Sequence, residues 1–108
     1  MYRVLMRIIQ SENGITQEEE ARRVATAFEF WSKNGKKYNR LVEKLKKNKG
    51  TIETRLKYLA FWVKFQLICE GKEITDDNLI PIDVEGAEKF IEKANSIINE
   101  INKKKELP

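Results

Sequence analysis

The chain has 108 residues, 41% hydrophobic and 35% charged, with a net charge of +4, no histidine and one cysteine. This composition argues against a disordered chain, and no apolar run approaches the roughly 18 residues of a membrane span, so one soluble, cytoplasmic domain is expected. Without histidine and with Cys69 alone, ordinary zinc sites and histidine-based catalysis are excluded, and we expect a non-catalytic protein without cofactor or metal.

Positive charge is concentrated in the middle of the chain. Residues 33–57 contain ten Lys or Arg and two Glu, a net charge of +8, whereas residues 1–32 and 58–108 carry −1 and −3. Lys and Arg that neutralise phosphates release condensed counterions, so this segment favours a polyanionic partner. A solvated lysine-rich surface is the alternative explanation.

The N-terminal third predicts two helices. The first covers residues 2–10, with Tyr2, Leu5 and Ile9 on one face. The second begins at Thr16 in a capping box with Glu19 and ends at residues 34–35, where Asn-Gly is a common C-terminal signal. The apolar residues of this second helix that recur at helical spacing are expected to face the core: Ala21, Val24, Ala25, Phe28 and Trp31.

The stretch from residue 36 to residue 60 is predicted to be a helix-turn-helix. A third helix runs from about Lys36 to Lys47, and a fourth begins at Gly50 or Thr51 and continues to Cys69, as one bent helix or as two with a break near Ala60. Each helix carries an apolar stripe: Leu41, Val42 and Leu45, then Ile52, Leu56 and Leu59. An ordinary pair of packed helices in a bundle is the alternative for the same spacing.

The C-terminal part predicts one long helix, over about residues 84–105. Gly71 ends the preceding helix, a short turn capped by Thr75 ends at Pro81, and Asp83 is a suitable N-cap. The apolar positions repeat at heptad-like steps: Ala87, Ile91, Ala94, Ile98 and Ile101. This stripe either packs on the chain's own core or forms a homodimer interface. Residues 1–108 are therefore predicted to form a single compact all-α domain of several helices, containing the helix-turn-helix and a long C-terminal helix.

Residues 19–75 resemble the central DNA-binding domain of ParB-type partition proteins. That family has a Glu-Glu-Ala helix followed by a pattern of the kind L-A-x-x-L-G-K-S-x-x-T-[VI]-x-x-x-L-x-L-L. Here the helix with Glu19-Glu20-Ala21 precedes the motif, and the segments that match the pattern without a gap are Leu41-Val42, Leu45-Lys46-Lys47, Thr51-Ile52 and Leu56-Lys57-Tyr58-Leu59. Residues 70–75, Glu-Gly-Lys-Glu-Ile-Thr, resemble a later segment of the family, E-G-K-[IL]-[ST], with one-residue irregularities. The chain departs from the pattern at Lys46, where the family has a turn glycine, at Val42, where it has alanine, and at Arg55, an often apolar position. The resemblance implies a DNA-binding module without the nucleotide-binding domain of full partition proteins.

The leading prediction is a sequence-specific protein that binds double-stranded DNA, of the partition or transcriptional-regulator type. The helix from Thr51 to Leu59 is expected to enter the major groove, and a homodimer would bind two half-sites. The side chains expected to face bases are Thr51, Glu53, Thr54 and Lys57. Those expected to contact phosphates are Lys36, Lys37, Lys47, Asn48, Lys49 and Arg55.

A non-catalytic helical assembly or interaction protein is the alternative. It would belong to an archaeal virus or a nucleoprotein complex, and its basic stripe would follow a nucleic-acid backbone without reading bases. The bias toward Lys, Ile and Asn and the missing histidine resemble the composition of thermophilic archaeal proteins. The aromatic residues Phe61, Trp62 and Phe65 are expected to be core rather than a platform for stacking bases, and no small-molecule ligand is indicated.

Overall fold

Four α-helices make up the described part of the protein, and none of its residues there forms a β-strand. A computed structural model describes residues 1–47, 51–75 and 83–106, the last three of these by backbone only. The helices are α1 (Tyr2–Gln10), α2 (Gln17–Lys46), α3 (Ile52–Cys69) and α4 (Val84–Glu106). The predicted all-α fold is confirmed. None of the four helices is both long and apolar enough to cross a membrane.

Most helix ends lie where the local capping signals predicted them. Thr16 Oγ1 accepts a hydrogen bond from the Glu19 amide at 3.1 Å at the start of α2. Asp83 Oδ1 accepts one from the Gly86 amide at 3.0 Å at the start of α4. Gly71, with φ +75°, follows the end of α3 as predicted, because glycine adopts this left-handed backbone without strain. The predicted turn from Thr75 to Pro81 lies largely outside the described residues.

The predicted end of the second helix at residues 34–35 is wrong, because α2 continues through it to Lys46. Asn34 Nδ2 donates a hydrogen bond to the Phe30 carbonyl at 3.1 Å, one turn earlier in the same helix. Gly35 is buried, and a Cβ added there would lie 2.9 Å from Trp31 Cε2. The glycine therefore makes room for the Trp31 indole one turn earlier in the same helix. That indole packs against Phe65 of α3 with ring centroids 6.2 Å apart, so tertiary packing favours continuing the helix over the local signal for its end.

The core is built around Phe65 on α3, which is fully buried. Its ring lies 5.4–6.3 Å, between centroids, from five other aromatic rings: Phe30, Trp31, Tyr38, Phe61 and Trp62. Several of these pairs are edge-to-face, a favourable geometry for aromatic rings. Helix α1 covers another side of the same core with buried Leu5, Ile8 and Ile9. The expectation that these aromatic residues of α3 are core is confirmed for Trp62 and Phe65, whereas Phe61 is only half-buried against the core.

The predicted buried face of α2 is partly wrong. Phe28 is 59% exposed, although its ring meets that of Tyr2 at 5.5 Å between centroids. The two alanines of the predicted set are exposed as well: Ala21 and Ala25. Val24 and Trp31 are half-buried. The true contact line passes through Ala27, Trp31, Gly35 and Tyr38, at steps of four, four and three residues. This is the stripe of one continuous helix, and it differs from the face expected of a helix that stops at residue 34.

Helix α3 is continuous from Ile52 to Cys69, without a break near Ala60. Of the three residues predicted to face the core from its first half, Leu59 is buried, but Ile52 is 82% exposed and Leu56 is 45% exposed. The matching stripe at the end of α2 is only half-buried: Leu41, Val42 and Leu45. The end of the helix pair near the connection therefore extends beyond the core.

Helices α2 and α3 form an antiparallel αα-hairpin. The Tyr38 ring stacks on the Tyr58 ring with centroids 5.9 Å apart, and the Trp31 ring packs against the Phe65 ring at 6.2 Å. A later residue of α2 thus faces an earlier residue of α3, so the two helices run in opposite directions. In a helix-turn-helix the two helices cross at about 90–120° and separate away from the turn. Here the pairing continues along the helices, so the helix-turn-helix is not shown. Residues 48–50, the centre of the predicted turn, lie outside the described residues.

The heptad-like stripe of α4 packs on the chain's own core. Ala87 and Ala94 are 1% and 0% exposed, and Phe90 contacts Trp62 with ring centroids 5.9 Å apart. The other members of the stripe are half-buried against the core or beside it: Ile91, Ile98 and Ile101. Of the two alternatives for this face, the structure shows the intramolecular one. A homodimer through the same stripe would require α4 to leave the domain, and dimerisation itself stays a prediction.

Candidate nucleic-acid interface

One side of the α2–α3 hairpin forms a groove of about 320 Å³ with five cationic side chains along its rims. We call it the basic groove. Helix α2 contributes Lys37, Arg40 and Lys44, and α3 contributes Lys57 and Lys64. The floor between the two rows is apolar: Leu41, Ala60 and Phe61. No acidic residue of the described part of the chain lines this groove.

Helical periodicity explains why these cations converge. Residues that are three, four or seven positions apart lie on one face of an α-helix, so positions 37, 40 and 44 form one row and positions 57 and 64 form another. The antiparallel pairing of α2 and α3 then sets the two rows side by side. Neighbouring packed helices lie about 8–10 Å apart, so both rows can contact one ligand in the groove.

The charges of the basic groove are largely available to a ligand. Lys57 pairs with Glu53 at 3.3 Å, but both side chains are exposed, and such pairs contribute only about 0–1 kcal/mol. Lys64 Nζ lies 5.4 Å from the centroid of the Phe61 ring, a cation–π distance that holds this lysine over the groove floor. A groove lined by charge of one sign concentrates anions, and phosphate groups fit this site.

Of the predicted DNA-contacting residues that the structure describes, two lie in the basic groove: Lys37 and Lys57. Thr51 caps α3, and its Oγ1 accepts a hydrogen bond from the Thr54 amide at 3.3 Å. Glu53 is exposed beside the groove, where it pairs with Lys57. The predicted base-facing side chains are therefore mostly exposed, but each of the four already has a partner within the protein.

The remaining predicted phosphate contacts are spread over the surface. Lys36 is exposed on α2, and Lys47 lies 3.9 Å from Glu43. Arg55 is exposed, and it lines a different cavity of about 670 Å³, between the start of α3 and α4. Two carboxylates of α4 line that cavity as well, Glu88 and Glu92, so an anion is less favoured there than in the basic groove. Asn48 and Lys49 lie outside the described residues.

Three cations of the basic groove were missed by sequence reasoning: Arg40, Lys44 and Lys64. The spacing of positions 37, 40 and 44, and the seven-residue step from 57 to 64, is a signal that could have grouped them. That the two rows face the same groove depends on how α2 and α3 pack, and local spacing does not contain this information.

The end of the hairpin far from the connection is held by two arginines of α2. Arg23 Nη1 donates to the Cys69 carbonyl and Arg22 Nη2 to the Gly71 carbonyl, each at 3.1 Å. Glu19 accepts hydrogen bonds from both guanidinium groups, and these bonds lower its pKa to about 2. We call this group the arginine clamp. It satisfies carbonyls at the C-terminus of α3 and fixes α3 against α2, which keeps the two cationic rows in register.

Buried titratable groups near the hairpin are structural. Burial raises the pKa of the Cys69 thiol to about 12, and it also raises the pKa of Tyr38. Neither group is therefore ionised near neutral pH. Among the residues that the structure describes, no cluster of His, Cys, Asp and Glu could hold a metal ion.

Comparisons with protein-family models, with curated proteins and with solved structures found no match for this chain. The resemblance to partition proteins therefore depends only on the sequence segments quoted above. Function has to be inferred from the chemistry of the basic groove and from the exposed end of α3.

Proposed function

We propose that the protein binds DNA through the basic groove, with phosphates held by the cations of α2 and α3. The supporting observation is the convergence of five Lys and Arg side chains from two helices on one groove that no described acidic residue lines. Each phosphate that a lysine or arginine neutralises releases condensed counterions, which favours binding in proportion to the number of contacts. A solvated lysine surface would not require the two rows to face each other.

The proposal extends to recognition of base sequence by the start of α3. The helix-turn-helix prediction and the resemblance to partition proteins both assign residues Thr51 to Leu59 to the major groove of a duplex. The exposure of Thr51, Glu53 and Lys57 supports this assignment, and so does the exposure of Arg55, which has no place in the core. The protein would then act in partition or in transcriptional regulation.

Non-specific binding within a larger assembly is the second candidate. It is favoured by the partners that the predicted base-reading groups already have: Thr51 with Thr54, and Glu53 with Lys57. The αα-hairpin also favours it, since its helices stay paired along their length rather than crossing at a turn. In this alternative the basic groove follows a phosphate backbone and no side chain selects a base.

Selection of bound duplexes from a random pool distinguishes the two candidates, together with titration of a labelled duplex at several salt concentrations. Sequence-specific binding predicts an enriched motif, and it predicts that Thr54→Ala changes the preference among duplexes while Lys44→Ala weakens all of them equally. A salt-dependent affinity without any enriched motif supports the second candidate. If no duplex binds in a salt-dependent manner, the proposal that DNA is the ligand is wrong.

A further inference from the structure

The basic groove combines two properties that a blunt duplex does not match together. Its rims are cationic, but its floor is formed by Leu41, Ala60 and Phe61. A duplex presents charged phosphates on its outside and keeps the faces of its bases stacked in its interior. The phosphates of a duplex can therefore pair with the cations of the rims, but the apolar floor would then face a hydrated sugar-phosphate backbone. A single strand offers both phosphates and unstacked base faces.

We infer that the basic groove binds a single-stranded segment of nucleic acid, with one base stacked on Phe61 and the flanking phosphates on the two cationic rows. This inference rests on the proposed function and names the form of nucleic acid that the same site prefers. The groove volume of about 320 Å³ is at the lower end of the range for small-molecule sites, which suits one base rather than a helix of a partner protein.

The surroundings of Phe61 suit this role. Its ring is supported from the core side by Phe30 at 6.3 Å and Tyr38 at 6.0 Å, so its position is fixed before a ligand binds. The neighbouring aromatic residues of α3, Trp62 and Phe65, are fully buried and cannot meet a base. Phe61 is half-buried and lines the groove, with Lys64 Nζ 5.4 Å from its ring centroid. The long, flexible Lys64 side chain has to move off the ring when a base stacks there, and its ammonium group then meets a flanking phosphate. An aromatic face beside cations is the usual composition of sites for single strands.

Three labelled probes of equal length test the inference on the wild-type protein at one salt concentration: a single strand, a blunt duplex, and a duplex with a single-stranded tail. We expect the single strand and the tailed duplex to bind roughly fivefold or more tightly than the blunt duplex, since stacking of one base contributes at least that much. A fourth probe is a single strand with abasic sites, which keeps the phosphates and removes the bases. It should lose this advantage without any change in the protein.

The variant Phe61→Leu keeps an apolar side chain in the floor and removes the aromatic face. It should abolish the preference for the single strand and leave affinity for the blunt duplex within about twofold, because its phosphate contacts are unchanged. Phe28→Leu is the matched control, since Phe28 is exposed and lies on α2 outside the groove. Thermal unfolding of both variants checks that the fold is retained.

The outcomes separate the inference from the proposed function. If the blunt duplex binds in a salt-dependent manner and as tightly as the intact single strand and the tailed duplex, the inference is wrong and the proposed function stands. If only single strands bind, the inference stands and the duplex part of the proposed function is wrong. If no oligonucleotide binds, or an acidic amphipathic peptide binds more tightly than all of them, both are overturned.

Discussion

The triple variant Lys37→Ala, Arg40→Ala, Lys44→Ala removes the α2 row of the basic groove. If each of the five cations neutralises one duplex phosphate, the plot of log K against log salt has a slope of about −4.5, and the variant, with two cations left, has a slope of about −1.8. Between 50 and 200 mM salt the affinity of the wild type should fall about 500-fold, and that of the variant about 12-fold. Alanine has the highest helix propensity, so α2 should remain folded.

Fluorescence anisotropy of one labelled duplex, titrated at four or more salt concentrations, measures both slopes. The matched control removes three cations outside the groove: Lys72, Lys89 and Lys93, each replaced by alanine. This control changes the net charge equally, so its slope should stay near that of the wild type. Equal slopes for the two triple variants would show that net charge, and not the basic groove, determines binding, and would refute the assignment.

Three further predictions concern stability and reactivity. Gly35→Ala should lower the free energy of unfolding by about 1–3 kcal/mol in urea titrations, because the added Cβ meets the Trp31 indole; an increase would contradict the packing described. The pKa of Glu19, lowered to about 2 by its two arginine partners, gives stability that is present above pH 4.5 and lost as the pH falls toward 2. Glu19→Gln should reduce this loss of stability at acid pH, measured as the midpoint of urea unfolding at a series of pH values. An unchanged pH profile would assign the loss to other carboxyl groups. Burial should keep Cys69 unreactive toward a thiol reagent at pH 8 until denaturant is added, and fast labelling of the native protein would refute this.

Local sequence signals predicted where most helices begin, because the groups that satisfy the free amides of a first turn lie within a few residues. The caps at Thr16 and Asp83 are such cases. The same reasoning failed at Gly35, where the deciding contact is the close packing of the Trp31 indole on the glycine within a longer helix. It also failed for the face of α2, since the position of Phe28 depends on which neighbour the helix meets.

The candidate site shows the same limit. Charge counting located the basic segment, and two of the predicted DNA contacts, Lys37 and Lys57, lie together in the basic groove. Arg55 was predicted to contact a phosphate as well, but in the structure it lines a different cavity, beside α4. Lys64 was missed because it is seven residues beyond Lys57, inside an otherwise apolar run. Which cations share a groove is decided by the antiparallel pairing of two helices, and that is a tertiary property.

Because of the arginine clamp, the N-terminal end of α3 should unfold locally more readily than its C-terminal end. At the C-terminal end, Arg22 and Arg23 hold carbonyls that only separation of the two helices would release. At the N-terminal end, Thr51 caps the helix and Ile52 is largely exposed. Amide hydrogen exchange should therefore be fast in the first turn of α3 and slow in its last, since protection follows local burial and tertiary contact. The end of α3 proposed to meet DNA is thus the one that can adjust its backbone to a ligand without loosening the core.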